Sequence, residues 1–392
     1  MHRKPAAIAA AAAFAAATAL SSTAALAQEP VKIGMVTTLS TGAGYLGDHV
    51  RKGFELALEQ SGAADRVELL VEDDGLDPAQ ASQLTQRMVE RDGVKLMTGS
   101  IFSNVAMATI PKLVRNNDVV YVSPNAGPAP LAGKGCHPKY FNVAWQNDNL
   151  AEVMGQYATD QGYERVYLLA PQYQAGKDSL AGFKRFFKGE VVDEVYTKLG
   201  QTDYAPEIAE LRDAAPDAVY FFYPGGMGIN FMKQFAQAGL ADKIPALGPA
   251  FSFDDTLLDA VGDAAIGFYN GSQWSPDLDN EPNRKFVAAY IAKYDEYPTL
   301  YSSQGYDAGN LIVSALTETG WSTDDTDALA AAIKKAEFDS VRGDFRFGNN
   351  NHPIQDLYVR EVYKDETGNI TNRMVAEVFE DHQDAYAAEC EM

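Results

Sequence analysis

The feature that most constrains this chain is the regular exchange of short β-rich runs with helical stretches along nearly its whole length. A β-rich run at 31–36 passes through a Gly/Thr/Ser loop at 37–46 into a helical stretch at 47–60. The apolar residues Val50, Phe54, Ala57 and Leu58 of that stretch fall on one helical face. A strand is expected at 67–71, and Asp77-Pro78 opens the next helix, with Asp as cap and Pro at the first helical position. A strand at 94–98, a helix at 103–116 and a strand at 119–122 follow. Strands at 165–170, 191–197, 218–222, 245–247 and 267–271 continue the pattern, with helical stretches between them. Such alternation lays crossover helices over parallel sheets, the α/β class. There are too many units for one sheet, so two Rossmann-like sheets in two lobes are expected. Helical stretches at 281–294, 303–319 and 325–336 come next, then strands at 357–363 and 372–379 flanking a hairpin turn at 365–369. No low-complexity linker separates the lobes, so the chain must cross between them more than once.

The two ends of the chain bound its location. His2-Arg3-Lys4 precedes an apolar, Ala-rich run at 6–20 and the small-x-small site Ala25-Leu26-Ala27, the order of a secretory signal peptide. The run is too short to span a bilayer, which takes about 20 residues. Cleavage is expected after Ala27, leaving a periplasmic protein, and no Cys follows to carry a lipid. In that oxidising compartment Cys136 and Cys390 are expected to pair, tying the C-terminal tail to a loop of the first lobe; two separate thiols are the alternative. The formal net charge of −22 excludes nucleic acid and an anionic membrane surface as partners.

Gly42-Ala43-Gly44-Tyr45-Leu46-Gly47 is literally a G-x-G-x-x-G between a strand and a helix, and Asp65 could serve as its ribose-binding acid. Thr37 to Thr41 intervene, however, between the strand and the first Gly, where a dinucleotide site needs the turn at the strand end. A flexible glycine loop at the ligand-binding edge of the sheet is the better reading. P-loop, H-E-x-x-H and G-x-S-x-G motifs are absent, and no two His residues are close in sequence. Glu72-Asp73-Asp74 could ligate a metal but better suits a solvated strand end. Two polar loops carry more: 99–104, with Phe102 and Ser103, and 123–128, with Asn125, Ala126 and Gly127. A helix start with a serine beside it offers N–H and O–H donors to a carboxylate; the plainer alternative is Ser103 as an ordinary cap. Rings follow several second-lobe strands: Tyr173, the run Phe221-Phe222-Tyr223-Pro224, and the run Ala250-Phe251-Ser252-Phe253. Trp145 and Tyr301 lie near expected crossings. Phe221 is read as core and the others as pocket walls.

Val31-Lys32-Ile33-Gly34, Glu72-Asp73-Asp74 with Asp77-Pro78, the 99–103 loop, Val122-Ser123-Pro124, Gln172-Tyr173 and Gly262-Asp263-Ala264-Ala265 together resemble the periplasmic solute-binding proteins of ABC importers, type I fold. Within them they resemble the leucine/isoleucine/valine-binding branch. The resemblance implies two α/β lobes joined by three crossings, with a ligand held in the cleft. The lobes would be 28–145 plus 275–340 and 146–274 plus 341–380, with 381–392 as a tail. It puts the ligand's carboxylate on Ser103, further contacts on Asn125 and Gly127, and rings at Tyr173, at Tyr223 or Pro224, and at Tyr301; Tyr45, Phe102 and Ala126 lie in the same loops. At Gly248-Pro249-Ala250 the sequence departs from amino-acid binders, which place Glu at the third position to hold the ligand ammonium. Ala250 followed by Phe251 leaves an ammonium without a partner, a cost of several kcal/mol when buried. The 221–228 run also resembles the subgroup associated with benzoate-like acids. The expectation is a receptor that performs no chemistry: a monomer with no cofactor or metal and no stable membrane insertion. It would hand an aromatic carboxylate to an ABC permease. A branched-chain amino acid, then an amide such as urea, are the next cargoes; an exported nucleotide-dependent enzyme or a ligand sensor are the rival classes.

Overall fold

The computed structural model describes residues 1–2 and 29–392; from Arg3 to Ala27 the expected signal segment lies outside them. The first part of the chain comprises β1 (Val31–Thr37), α1 (Gly44–Gln60), β2 (Val67–Asp73), α2 (Pro78–Glu90), β3 (Leu96–Thr98), α3 (Ser103–Asn116), β4 (Val120–Ser123), α4 (Ala129–Ala132) and β5 (Tyr140–Asn142). Its strands make a parallel sheet in the order β2-β1-β3-β4-β5. There follow α5 (Asn149–Asp160), β6 (Arg165–Pro171), α6 (Gln174–Phe186), β7 (Glu190–Thr197), α7 (Ala205–Ala214), β8 (Ala218–Phe221), α8 (Gly226–Gln237), β9 (Ala246–Pro249), α9 (Asp255–Val261) and β10 (Tyr269–Ser272). These strands form a second parallel arrangement, β7-β6-β8-β9-β10. The chain ends with α10 (Glu281–Tyr294), α11 (Leu300–Glu318), α12 (Thr326–Lys335), β11 (Arg346–Phe347), β12 (Pro353–Lys364) and β13 (Ile370–His382). The strand β12 runs antiparallel to β10 and pairs with β11 and β13, extending the second sheet.

Local chemistry sets these elements. Asp77 accepts from the Ala79 and Gln80 N–H groups at 2.8 and 3.4 Å, and Pro78 follows at the first helical position, so α2 starts where the sequence indicates. β3 begins two residues later than expected, because the Val94 N–H still bonds Met88 O at the end of α2. α1 starts at Gly44, three residues early, out of a 3₁₀ turn at Thr41–Ala43. The 365–369 turn is present, closed by the Asp365 N–H on Asn369 O at 2.9 Å.

Although late in the chain, α11 and α12 return to the first sheet. Ile312, Leu316, Leu329 and Ile333 pack in one core with Ile33, Leu96 and Val120. α11 lies hard against α1: a Cβ built on Gly53 would sit 2.0 Å from Ser302 O, so only Gly permits this approach. The chain therefore crosses between lobes three times, near 143–148, 273–280 and 341–352. Arg342 fastens the crossings. Buried, it donates to Asp307 on α11 (3.0 Å), to the Val143 and Ala144 carbonyls (2.5 and 3.0 Å) and to Gln355 on β12 (2.5 Å). Cys136 and Cys390 are bonded, as expected. Among the described residues no helix is long and apolar enough to cross a membrane.

Candidate ligand-binding site

In open α/β sheets ligands bind outside the carboxyl ends of the strands, and here those ends of both sheets face one another across a narrow cavity. The first lobe contributes Leu46 from α1, Ile101, Phe102 and Ser103 after β3, Asn125 and Ala126 after β4, and Tyr301 from α11. The second contributes Tyr173 and Ala175 after β6, Phe222 and Pro224 after β8, and Phe251 after β9. Trp145 and Asn147 come from the first crossing. These residues bound a slot of about 360 Å³ of atom-free space between the lobes.

Rings line it in series. Phe102 and Tyr173 are 6.2 Å apart between centroids, Tyr173 and Phe222 6.0 Å and nearly parallel, Phe222 and Phe251 4.7 Å edge to face, and Phe251 and Trp145 5.3 Å. All four spacings fall in the attractive range for aromatic pairs. Burial, then the nearby Asp254 and Tyr173, pushes the Tyr301 phenol well up, so it stays protonated and can donate. Among the described lining residues none is charged.

The polar end is built at the start of α3. Ser103 is the first residue of the helix rather than its cap: Phe102 holds the cap position and makes no side-chain cap bond. The first backbone bond closing the turn is Ala106 N–H to Phe102 O, so the preceding N–H groups of α3 have no intrahelical acceptor. The Ser103 hydroxyl accepts from Asn147 Nδ2 at 3.0 Å. Asn125 donates to Ile101 O at 2.7 Å, while its own side-chain oxygen is buried without a partner.

Of the residues expected from sequence, Phe102, Ser103, Asn125, Ala126, Tyr173, Pro224, Phe251 and Tyr301 are brought together around the slot. Tyr45, Gly127, Tyr223 and Ala250 are not. Tyr223 faces the opposite side of the sheet, packed on Tyr204 (4.9 Å) and Phe231 (5.2 Å). Side chains alternate along an extended segment, so with Phe221 in the core Phe222 turns to the slot and Tyr223 back to the core. Phe222 thus walls the slot as expected, whereas Phe253 packs in the core against Phe221 at 5.2 Å. Tyr45 donates to Asp254 at 3.2 Å. Gly127 supports the site through its N–H, bonded to Asn147 at 3.0 Å. Ala250 is buried and does not line the slot. Asn147 carried no sequence signal, lying in a crossing without periodicity.

The alternative chemistries find no geometry. A Cβ on Gly47 would sit 2.1 Å from Thr38 O, so this glycine serves the close approach of α1 to its own loop. Glu72 pairs with Arg87, Asp73 accepts the Leu39 and Gly75 N–H groups, and Asp74 accepts Thr38 and Leu76. Among the described residues no cluster of three or more His, Cys, Asp or Glu is placed to hold a metal.

Comparison with known proteins agrees with this architecture. A "Leu/Ile/Val-binding protein homolog 6" of Brucella melitensis is 28% identical over 368 residues, covering 91% of this chain and 93% of its own. An ABC-transporter solute-binding protein of R. palustris in complex with benzoate superposes with a TM-score of 0.87 at 28% identity, covering 93% of this chain and all of that one. A solute-binding protein of Rhodopseudomonas palustris BisB5 in complex with 3,4-dihydroxybenzoic acid gives a TM-score of 0.83 at 28% identity, covering 91% and 99%. The two structural neighbours are transport solute-binding proteins, not enzymes, and their fold superposes on the one found here. The profile described as "Periplasmic binding protein" matches residues 30–367, and with the cleft and crossings above it establishes that this chain belongs to the periplasmic binding protein family.

Proposed function

We propose that this solute-binding protein captures a benzoate-like aromatic carboxylate and delivers it to an ABC permease. The observation that carries the reading is the slot itself: ring-walled, free of charged lining residues, and ending on an uncapped helix start with a serine. The cargo carboxylate docks on Ser103 and the first N–H groups of α3, with Asn125 beside it. Its ring lies among Tyr173, Phe222, Phe251 and Tyr301 as the lobes close by hinge rotation. The two R. palustris neighbours, which hold benzoate and 3,4-dihydroxybenzoic acid, support this cargo class. The lobes are 28–145 plus 275–340 and 146–274 plus 341–380, with 381–392 as tail. The chain is exported by its N-terminal segment, cleaved after Ala27 without lipid attachment, and works as a monomer.

The name of the Brucella relative favours a branched-chain amino acid as second reading. A zwitterion needs a carboxylate for its ammonium, and the slot offers none. The buried Asp254 behind Tyr45 already accepts from Tyr45 and from the Leu257 N–H. A thermal-shift screen of the mature chain separates the readings. A ligand at a hundredfold excess over its Kd stabilises by about 2.7 kcal/mol. Benzoate or hydroxybenzoates should raise Tm, and leucine and urea should not. Stabilisation by leucine with none by the aromatic acids would refute the proposal.

A further inference from the structure

The hydrogen bonds behind Ser103 run out of the slot and into the second lobe. The Gly127 N–H donates to Asn147 Oδ1 at 3.0 Å. A backbone N–H can only donate, so this bond fixes which end of the Asn147 amide is oxygen. Nδ2 then offers its two hydrogens to Ser103 Oγ at 3.0 Å and to Asp178 Oδ2 at 2.8 Å. Since Ser103 accepts from Asn147, its own hydroxyl hydrogen must go elsewhere, and among the described residues no acceptor receives it. It is available to an oxygen of the cargo. Asp178 sits on α6, in the second lobe. It is buried, and it also accepts the Ala129 N–H of the first lobe at 3.1 Å and Gln174 Nε2 at 2.7 Å. It does not line the slot.

We infer that Asp178 is a positioning residue: from the second lobe it holds Asn147 so that Ser103 donates to the cargo carboxylate. This rests on the reading of the slot as a carboxylate site. Burial raises the Asp178 carboxyl, but the Ala129 N–H and the Asn147 and Gln174 amides all donate to it and favour its ionised, accept-only form, so Asp178 and the Gly127 N–H together disfavour the turned-over amide. Turned over, Asn147 would present its oxygen to Ser103 and draw the hydroxyl hydrogen away from the cargo. The Gly127 contact lies beside the first crossing, whereas the Asp178 contact reaches across from α6. Recognition of the anion is thereby coupled to closure.

The test is calorimetric titration of benzoate into the full mature protein and its variants. Asp178→Ala should lower affinity about tenfold. Asp178→Asn should hold it within about threefold of the parent or raise it. Its Oδ1 can still accept from Asn147 and Ala129, the Gln174 amide can turn to meet its nitrogen, and a negative charge near the anion is gone. In a Ser103→Ala background Asp178→Ala should cost nothing further, because residues acting through one another are non-additive. An equal loss in both backgrounds would reduce Asp178 to a fastener between lobes and overturn the inference, as would an Asn variant as weak as the Ala variant. If the parent binds neither benzoate nor hydroxybenzoates, the carboxylate reading of the slot falls and this inference with it. If the parent binds but the cycle is additive, only the role of Asp178 falls.

Discussion

Replacing Arg342 by Met should be among the most destabilising single changes outside the slot. The guanidinium is buried with Asp307, and it serves four acceptors on three separate segments. Met keeps most of the aliphatic volume but strands the Asp307 carboxylate, which retains only the Ser340 hydroxyl (2.7 Å) and the Val341 N–H (3.0 Å). Burial already opposes the ionised form of Asp307, and the Arg342 charge does most to offset it. Breaking a buried pair by removing one partner costs about 3–5 kcal/mol. The Val143 carbonyl loses its donor as well, a smaller penalty of about 1 kcal/mol. An unfolding entropy of about 2.1 cal/mol/K per residue over roughly 360 residues is about 0.75 kcal/mol/K, so a 4 kcal/mol loss lowers Tm by about 5 °C. Differential scanning calorimetry of the ligand-free chain measures it. Arg342→Met combined with Asp307→Asn should recover most of the loss, because the stranded charge is gone. A single variant within about 1 kcal/mol of the parent, or a double variant no better than the single, would show that the knot is not an electrostatic fastening.

Ser103→Ala should weaken benzoate binding by about 1–3 kcal/mol, the cost of leaving a charged acceptor short of a donor; unchanged affinity by titration removes Ser103 from the site. Reducing the Cys136–Cys390 bond, which closes a separation of 254 residues, should lower stability by about 2–4 kcal/mol in urea melts with and without reductant. Burial pushes the Asp254 carboxyl up to about 7. Its folded pKa therefore exceeds the unfolded value, so its contribution to stability is full in acid and is lost as pH rises through about 7. Asp254→Asn keeps a capping oxygen for Leu257, so it should gain on the parent between pH 5 and pH 8 in urea melts. A difference that does not change with pH would refute that assignment.

Much of this was legible in sequence, for identifiable reasons. Helix α3 is legible at 103–116 because a polar glycine loop precedes it and Asn117 caps its end. α2 was readable from a single Asp-Pro pair. The slot was traceable residue by residue wherever a loop leaves a strand end, as at Phe102, Tyr173 and Phe251. It failed where direction rather than position mattered. Tyr223 and Phe222 are neighbours in sequence, and only the alternation of side chains across the sheet decides which one meets the cavity. Asn147 and Asp178 were invisible for another reason. Their importance lies in contacts across 31 and 44 positions, with Asp178 and with Ser103, and no local pattern encodes such contacts.

The bond between Cys136 and Cys390 has a mechanical meaning. β13 belongs to the second sheet and ends at His382, while Cys136 lies between β4 and β5 of the first. The eight steps from His382 to Cys390 are thus a covalent leash, which can span at most about 28 Å fully drawn. It lies along the crossings, with Tyr386 on Asp148 at 2.9 Å and Ala387 on Asn349 at 2.7 Å. Anchored there, it sets a covalent limit on how far this edge of the two sheets can separate.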